Sequence, residues 1–385
     1  MNRRGIALVL VLIAMLVTAA LAAGVLIATS TQARASGDAQ LTLRAGEAAD
    51  RGQVLAATSW SPESSLTMPL GATNGPTTTL YADSTSSITW LTRLSRESFW
   101  VTSWGRGPLA PAAAPSPLPI QRRVGVLYRL HVPDVRLTAA LSVRDSLLVS
   151  GAAVVDGRDA APPGWGALCG PVTGAIAAAA APDTTRICDG PCGAVTASHL
   201  IGSPLKLLDS AAALPSALAQ LGSVTWTSLA AHATYVTASP TTVTPAPRLT
   251  GATHCDSAAV DNWGDPRRAT PCRNRFVIVH ARGDLVMDGG VGQGIILGEG
   301  DVELRNGAQF FGLILARDDL VALTGTGPSR IWGAAVASDR RRANGDVSVI
   351  AGTAAVTYSS CAVEMSLLAT APMRREVHRG WTAAH

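Results

Sequence analysis

Lysine is almost absent from this chain of 385 residues, because 30 of its 31 basic residues are arginines and Lys206 is the exception. Charged residues make up only 15% of the sequence and aromatic residues 4%. Nucleic-acid-binding proteins typically carry a cluster of basic residues interleaved with aromatic side chains, and the arginines of this chain form no such cluster. We therefore expect no nucleic-acid partner, and a hydrophobic share of 47% excludes a largely disordered chain.

The common catalytic motifs are also missing. The sequence has no G-x-S-x-G, no H-E-x-x-H and no P-loop, and its seven histidines follow no ligand spacing. The glycine-rich stretch GGVGQGIILGEG at 289–300 departs from the G-x-G-x-x-G spacing of dinucleotide-binding loops and precedes no predicted helix. These absences predict a protein that is not an enzyme and that binds no cofactor.

No cysteine precedes residue 169, and six lie from there onward. An even number of cysteines on the exported side of a membrane predicts up to three disulfides, among fifteen possible pairings. Short separations favour Cys188–Cys192 and Cys255–Cys272, which leaves Cys169 with Cys361. A zinc site formed by the CDGPC segment with His254 and its neighbouring cysteines is the alternative, although an oxidising compartment favours disulfides.

A long apolar run opens the chain. Residues 5–33 carry no charge, and at about 1.5 Å per residue the apolar part, 6–29, is long enough to cross a bilayer core of about 30 Å. A cleavable secretion signal has a shorter apolar region, of about 7–15 residues, although ARAS at 33–36 resembles its cleavage site and keeps that alternative open. Arg3 and Arg4 predict a cytoplasmic N-terminus, so that the residues after Ala33 lie outside.

The residues after this run continue a helical pattern. In TQARASGDAQLTLRAGEAADRGQVLAATSW, at 31–60, small and apolar residues share one face and the charged residues lie elsewhere. Together, RRGIALVLVLIAMLVTAAL and LTLRAGEAADRGQVLA resemble the N-terminus of PilX-type minor pilins, a family of type IV pilus assembly proteins. The resemblance implies a leader over residues 1–5 and a helix over 6–58 that spans the membrane to about residue 29 and is amphipathic beyond it.

The same resemblance implies how the chain is processed. In that family a prepilin peptidase cuts after the glycine and methylates the new N-terminus, which here implies cleavage between Gly5 and Ile6. The implied partners are this peptidase, the inner membrane before assembly, and other pilins and minor pilins through the helix. Major pilins carry a glutamate at the fifth mature position, where this chain has Leu10. That glutamate can neutralise the N-terminal ammonium group of a neighbouring subunit, and a buried charge without its partner is costly. A subunit that lacks the glutamate is therefore favoured at a position without that neighbour, as a priming or tip subunit and not a bulk filament subunit.

The exported part divides by pattern. Residues 59–275 predict a β-rich region with loops and one helix, over 203–222, and residues 362–385 form a C-terminal tail. Residues 276–361 repeat an acidic turn, a short strand and a second strand opening with glycine, and Gly294, Gly312 and Gly333 mark spacings of 18 and 21 residues. Such short repeats are typical of a β-solenoid, whose core forms only when the units stack. The segment VRDSLLVSGAAVVDG at 143–157 has the same pattern.

A second resemblance lies in this region. NWGDPRRATPC at 262–272 and YSSCAVEMSLL at 358–368 resemble the C-terminal halves of longer PilX-type proteins. This match is less specific than the first one, because glycine-rich β repeats recur in unrelated surface proteins.

Two side-chain patterns in the exported region suggest binding. Asp284, Asp301 and the pair Asp318 and Asp319 recur every 17 or 18 residues and would form a column in a solenoid. A turn-forming role beside glycine is favoured for them, and a calcium site is the alternative. Four tryptophans concentrate in the first exported third, where core packing is favoured over a surface strip for adhesion or glycan contact; they are Trp60, Trp90, Trp100 and Trp104.

The predicted fold class is α+β: a long pilin-type transmembrane helix, then a β-rich exported region that ends in a short-repeat β-solenoid-like stack. The function expected from the resemblance is a minor pilin, located first in the inner membrane with its N-terminus cytoplasmic, then in the periplasm and an extracellular pilus or secretion filament. Two alternatives stay open. One is a membrane-anchored surface adhesin or binding module, and the other is a K-type pseudopilin of type II secretion, a family whose largely helical extra domain with calcium sites matches this sequence poorly.

Overall fold

The structure is a computed structural model that describes residues 3–107, 120–165, 169–170, 172, 174–190, 192, 198–210, 220–221, 223–238, 240–251, 254–268, 270–338, 347–376 and 381–384. The chain forms two compact units. Unit 1 comprises Met1–Ser59, Leu70–Arg129 and Arg374–His385, and unit 2 comprises Trp60–Pro69 and Leu130–Met373. Unit 2 therefore joins residues from both sides of position 275, where the sequence pattern placed a boundary.

The described residues form mixed α and β structure. The α-helices are α1 (Arg3–Thr58), α2 (Pro62–Ser65), α3 (Trp226–Ala231) and α4 (Ser360–Thr370). Short 3-10 helices cover Thr184–Arg186 and Pro271–Asn274. The strands up to residue 255 are β1 (Thr73–Leu80), β2 (Ser86–Arg93), β3 (Ser98–Arg106), β4 (Gln121–Leu130), β5 (Ala139–Val143), β6 (Leu147–Val149), β7 (Val154–Asp156), β8 (Ala177–Ala181), β9 (Ile187–Asp189), β10 (Leu200–Ile201), β11 (Lys206–Leu208), β12 (Gln220–Leu221), β13 (Val224–Thr225), β14 (Tyr235–Thr237), β15 (Thr241–Val243), β16 (Leu249–Thr250) and β17 (His254–Cys255). The later strands are β18 (Val277–Ala281), β19 (Leu285–Asp288), β20 (Val291–Gly298), β21 (Val302–Arg305), β22 (Gln309–Ala316), β23 (Leu320–Ala322), β24 (Arg330–Ala337), β25 (Ser348–Ile350), β26 (Ala355–Tyr358), β27 (Met373–Arg375) and β28 (Trp381–Ala384).

Unit 1 is a long helix packed on a sheet. The sheet has the order β1-β2-β3-β4-β27, with β28 also paired to β4, and β1 to β4 are antiparallel neighbours. In β3, buried and half-buried residues alternate strictly, which is the pattern of a strand whose two faces have different environments. The C-terminal half of α1 packs on one of those faces. The prediction of a long apolar N-terminal helix is confirmed.

Unit 2 contains two parallel sheets, and consecutive strands of the chain alternate between them. From β18 to β26, successive strands belong alternately to the two sheets. The first parallel sheet contains β18, β20, β22, β24 and β26, and the second contains β19, β21, β23 and β25. Each sequence repeat thus contributes one strand to each sheet. The earlier segment 143–157 joins them too, because β6 pairs with β25 and β7 with β26. Its shared pattern therefore reflects a shared environment.

The repeat glycines lie in register across the first parallel sheet. Gly294 pairs with Gly312, and Gly312 pairs with Gly333. Each has a positive φ, 126° at Gly294 and 141° at the other two. A Cβ at Gly312 would lie 2.0 Å from the carbonyl oxygen of Gly294, so no larger residue fits this close approach of neighbouring strands.

The core of unit 2 lies between the two parallel sheets, and a second apolar layer covers the first sheet from outside. Ile296 and Ile314 point into the inner core, whereas their neighbours Ile295 and Leu313 contact Val363 and Leu367 of α4. Both faces are therefore buried, which explains why every residue of β20 is buried. The segment predicted to be a tail accordingly begins inside a buried helix.

One helix prediction is wrong in its first part. Within the predicted helix 203–222, Lys206–Leu208 forms β11, which pairs in parallel with β8. Pairing with an existing sheet edge outweighs the modest helix propensity of this segment. Residues 211–219 and 222 lie outside the described residues.

Candidate functional site

The N-terminal half of α1 is an exposed apolar rod. Every side chain from Val9 to Ser36 is exposed, among them Leu10 at 61% and Leu16 at 72%. The predicted processing residues Gly5 and Ile6 lie within α1, and side-chain environments are described from Val9 onward. A run of 24 residues in a helix measures about 36 Å, which exceeds the hydrocarbon thickness of a membrane, about 30 Å. This part of α1 is long and apolar enough to cross a membrane or to pack among other helices.

The C-terminal half of α1 has one buried face, formed by small residues. Ala45, Ala48, Ala49 and Gly52 are buried at the three- and four-residue spacing of one helix face. On the sheet, a Cβ at Gly105 would lie 1.9 Å from the carbonyl oxygen of Ala45. Helix and strand backbones are thus in direct contact, and small side chains on both partners make this approach possible.

Charged side chains of α1 lie outside this buried face. Arg51 pairs at 3.0 Å with Asp83, in the turn between β1 and β2, and lies 3.8 Å from Glu47. The Thr85 side chain and backbone N–H donate hydrogen bonds to Asp83 and hold the pKa of its carboxyl below the usual range. The amphipathic pattern of residues 31–58 therefore serves packing within unit 1.

The predicted aspartate column exists and is hydrogen-bonded along its length. Asp284 accepts a bond from the backbone N–H of Asp301 at 3.1 Å, and Asp301 accepts one from that of Asp319 at 3.1 Å. Asp319 in turn accepts a bond from the Ser348 hydroxyl at 3.0 Å. Each carboxylate therefore ties its turn to the turn of the next repeat, which is the structural role of aspartate in turns.

Part of this column also has the geometry of a cation site. Carboxylate oxygens of Asp301, Asp318 and Asp319 lie within 4.8 Å of one another, whereas Asp284 is not in this group. Oxygen ligands at such spacing suit a hard cation such as calcium. Two of these side chains, Asp301 and Asp319, also accept hydrogen bonds from neighbouring repeats, so the same carboxylates have a structural role.

The cysteines form the two pairs that short spacing favoured, Cys188–Cys192 and Cys255–Cys272, and the remaining pair, Cys169–Cys361. A sulfur in a disulfide is not a thiolate and does not bind zinc, which removes the alternative zinc site with His254. Asn262, fully buried in the NWGDP segment, donates bonds to the carbonyl oxygens of Arg248 and Asp256 beside Cys255–Cys272. That motif therefore builds a polar core around a disulfide.

Ser198, His199 and Asp189 are the residue types of a catalytic triad, but their geometry is different. The Ser198 hydroxyl lies 3.1 Å from Nδ1 of His199, and the buried Asp189 carboxylate contacts that same nitrogen. In a triad the serine and the carboxylate use opposite nitrogens of the ring. This cluster therefore anchors His199, whose backbone N–H also donates to Asp189 at 3.0 Å.

Three of the four tryptophans of the first exported third meet on one face of the unit 1 sheet. Trp90, Trp100 and Trp104 are half-buried and lie on the face opposite to α1, whereas Trp60 belongs to unit 2. Arg123 stacks on Trp104 at 5.5 Å, because the two residues are cross-strand partners. Sequence reasoning missed this combination of tryptophan and arginine, and only the two-residue periodicity of SFWVTSWGR pointed to it.

Comparison of the chain with protein family models, with curated proteins and with solved structures finds no match.

Proposed function

We propose that this protein is a PilX-type minor pilin that enters a type IV pilus or a related secretion filament through α1. The observation that carries the proposal is the single helix Arg3–Thr58, exposed and apolar in its first half and packed on an antiparallel sheet in its second half. A filament subunit needs both halves of this helix. The N-terminal half binds the membrane and later the helices of neighbouring subunits, and the C-terminal half packs against the exported globular part of the subunit. In this proposal the protein acts by packing and not by catalysis.

Continuity of the helix argues against a simple secretion signal. The small-residue segment ARAS at 33–36 lies inside α1, more than twenty residues before the helix ends at Thr58. Signal peptides instead have a short apolar region that ends at the cleavage site.

Leu10 supports a position at the tip or in the priming complex. Its side chain is exposed in the free chain and would be buried among apolar helices in a filament. A carboxylate there needs the ammonium group of a neighbour as its partner. A subunit with leucine at this position is independent of that pairing, and an end position suits it.

The proposed head of the subunit is unit 2 together with the sheet of unit 1. We regard the two parallel sheets of unit 2 as a short-repeat β-solenoid, supported by the strand alternation and by the glycines in register. The three disulfides support an extracytoplasmic location for the head. The proposed route runs from the inner membrane, after cleavage by prepilin peptidase, to a filament shared with other pilins.

Mass spectrometry of the mature N-terminus tests this function. N-methylated Ile6 is the expected result, whereas an intact Met1 supports a membrane-anchored module and a start near Ser36 supports simple secretion. Gly5→Ala is expected to block cleavage, and Gly24→Ala in the same helix, with open space around its Cβ position, is the control that leaves cleavage intact. Normal processing and assembly of the Gly5→Ala variant would refute the proposal.

A surface adhesin or binding module is the second candidate. The face with Trp90, Trp100 and Trp104 favours it, because half-buried aromatic side chains beside arginines are typical of binding surfaces. The two candidates are distinguished by the mature N-terminus, since an anchored adhesin keeps Met1.

A further inference from the structure

The unit 1 sheet has two faces of different chemistry. The face toward α1 is formed by Phe99, Val101 and Ser103, which are fully buried. The other face carries Trp90, Trp100, Trp104, Arg106 and Arg123, which we call the Trp–Arg face. Its side chains are half-buried or, at Arg123, exposed. It is therefore a surface with large apolar rings and cationic groups side by side.

The rings of this face are held in place by their neighbours. Trp90 and Trp104 lie with centroids 5.0 Å apart and their planes tilted by 59°. Trp100 lies across Gly125, where an added Cβ would be 2.4 Å from the ring. Because these contacts fix the rings, a ligand that stacks on them loses little side-chain entropy of the protein on binding.

The polar groups of this face are predominantly donors. Indole and guanidinium groups only donate, and although Nε1 of Trp104 and Nε of Arg106 have no acceptor within the described part of the chain, both atoms are shielded from solvent. The Arg123 guanidinium stacks on Trp104. An anionic ligand would pair with the guanidinium of Arg123, which is the exposed cationic group among these residues.

Charge on this side of the sheet is unevenly distributed. Arg129, on the same face, forms a pair with Glu97 at 2.9 Å, and Glu376 follows β27 beside Leu127. Within the described residues, Arg106 and Arg123 form no ion pair with either carboxylate, in contrast to Arg51 on the helix side, which pairs with Asp83. The arginines among the tryptophans therefore complement a negatively charged ligand.

We propose that the Trp–Arg face binds an acidic polysaccharide. Sugar rings present C–H groups that stack on indole faces, and their carboxylates accept charge-assisted hydrogen bonds from guanidinium groups. Hydroxyls of Thr92 and Thr102, cross-strand neighbours of Trp100 and Trp90, supply further hydrogen-bonding groups for sugar hydroxyls. This binding function is additional to assembly through α1 and does not depend on it.

The test uses the full-length protein in detergent micelles, with polygalacturonate as the acidic probe and dextran as the neutral one. Binding is measured by isothermal titration, with tryptophan fluorescence as a second readout. We expect polygalacturonate to bind, dextran to bind much more weakly, and Arg123→Gln to weaken polygalacturonate binding about tenfold, the loss typical of one charge-assisted hydrogen bond. Arg106→Gln is a second variant with the same expected direction.

The matched control is Arg136→Gln, which removes the same charge from a side chain of unit 2 that is 83% exposed. It is expected to change the affinity less than about twofold. Equal weakening by Arg136→Gln, or no binding of polygalacturonate, overturns the proposal. Tighter binding of poly-L-glutamate than of polygalacturonate also overturns it, and identifies the ligand as an acidic polypeptide.

Discussion

At the scale of single residues, Glu299 shows how side chains far apart in the chain are joined in unit 2. Its carboxylate accepts bonds from Nε1 of Trp226 at 3.1 Å and from Nε2 of His280 at 3.2 Å, and it also pairs with Arg317. Arg317 stacks on Trp226 at 4.3 Å. This carboxylate therefore fastens the first residue of α3 to the ends of β18 and β20.

The acid dependence of stability follows from this cluster. Burial alone would raise the pKa of the Glu299 carboxyl, but the groups of His280, Arg317 and Trp226 outweigh it and hold the pKa below its ordinary value. The folded chain thus keeps this carboxylate ionised at a pH where the unfolded chain has bound a proton. Its contribution to stability is complete above the unfolded pKa and is lost as the pH falls through the folded pKa.

We predict that Glu299→Gln flattens this acid dependence. The free energy of unfolding from urea titrations between about pH 5 and 3 is expected to fall less steeply than in the wild type. At neutral pH the variant is expected to lose about 1–2 kcal/mol, because a charge-assisted network becomes a neutral one. An acid slope identical to that of the wild type would contradict this assignment.

At the scale of elements, α1 changes its role along its length. The first half exposes apolar side chains in all directions, and the second buries a narrow face of alanine and glycine on the sheet. The sequence showed the helix and its amphipathic half clearly, because both are periodic patterns within one segment. The sequence did not predict which face of the sheet packs against the helix, because this depends on small residues of β3 such as Gly105.

Gly105→Ala tests this interface. The new Cβ would overlap the α1 backbone, 1.9 Å from the carbonyl oxygen of Ala45, so helix and sheet must separate. We expect a loss of about 1–3 kcal/mol in the free energy of unfolding, measured by urea titration with tryptophan fluorescence.

Gly107→Ala is the matched control, because its nearest neighbour outside the local chain, the Leu41 carbonyl oxygen, lies at an ordinary 3.6 Å. Its expected effect is within about 0.5 kcal/mol. If both variants are equally stable, helix and sheet are not in the direct contact described above.

At the scale of the whole molecule, the disulfides span very different lengths of chain. Cys169–Cys361 joins residues 192 positions apart, whereas Cys188–Cys192 closes a separation of only 4. The long link connects the chain just beyond Trp165 to the start of α4, and thus ties early and late segments of unit 2 together. A cross-link restricts the unfolded chain more strongly when it closes a longer loop.

We therefore predict unequal effects of removing these links. Replacing Cys169 and Cys361 together by serine is expected to cost about 5 kcal/mol, and the same change at Cys188 and Cys192 about 2 kcal/mol, by the loop-entropy relation. Urea unfolding under non-reducing conditions measures both. Equal losses for the two double variants would show that loop length does not govern their contribution.

The Trp–Arg face shows where sequence reasoning ended. Trp100 and Trp104 were recognised as a concentration of aromatic residues, but Arg123 was not linked to them, since it lies 19 residues beyond Trp104. Cross-strand register places Arg123 opposite Trp104, and register depends on the packing of the opposite face against α1. The helix predicted over 203–222 failed for a related reason, since β11 forms by pairing with a distant strand.

The sequence by itself determined the extent of α1, the short-range pairing of its cysteines and the glycine period of the repeats, because these signals are local or periodic. Only the tertiary structure decided that β5 to β11 share sheets with β24 to β26, and that tryptophans and arginines meet on one surface. Contacts between distant segments depend on which apolar faces bury each other, and no single segment carries that information.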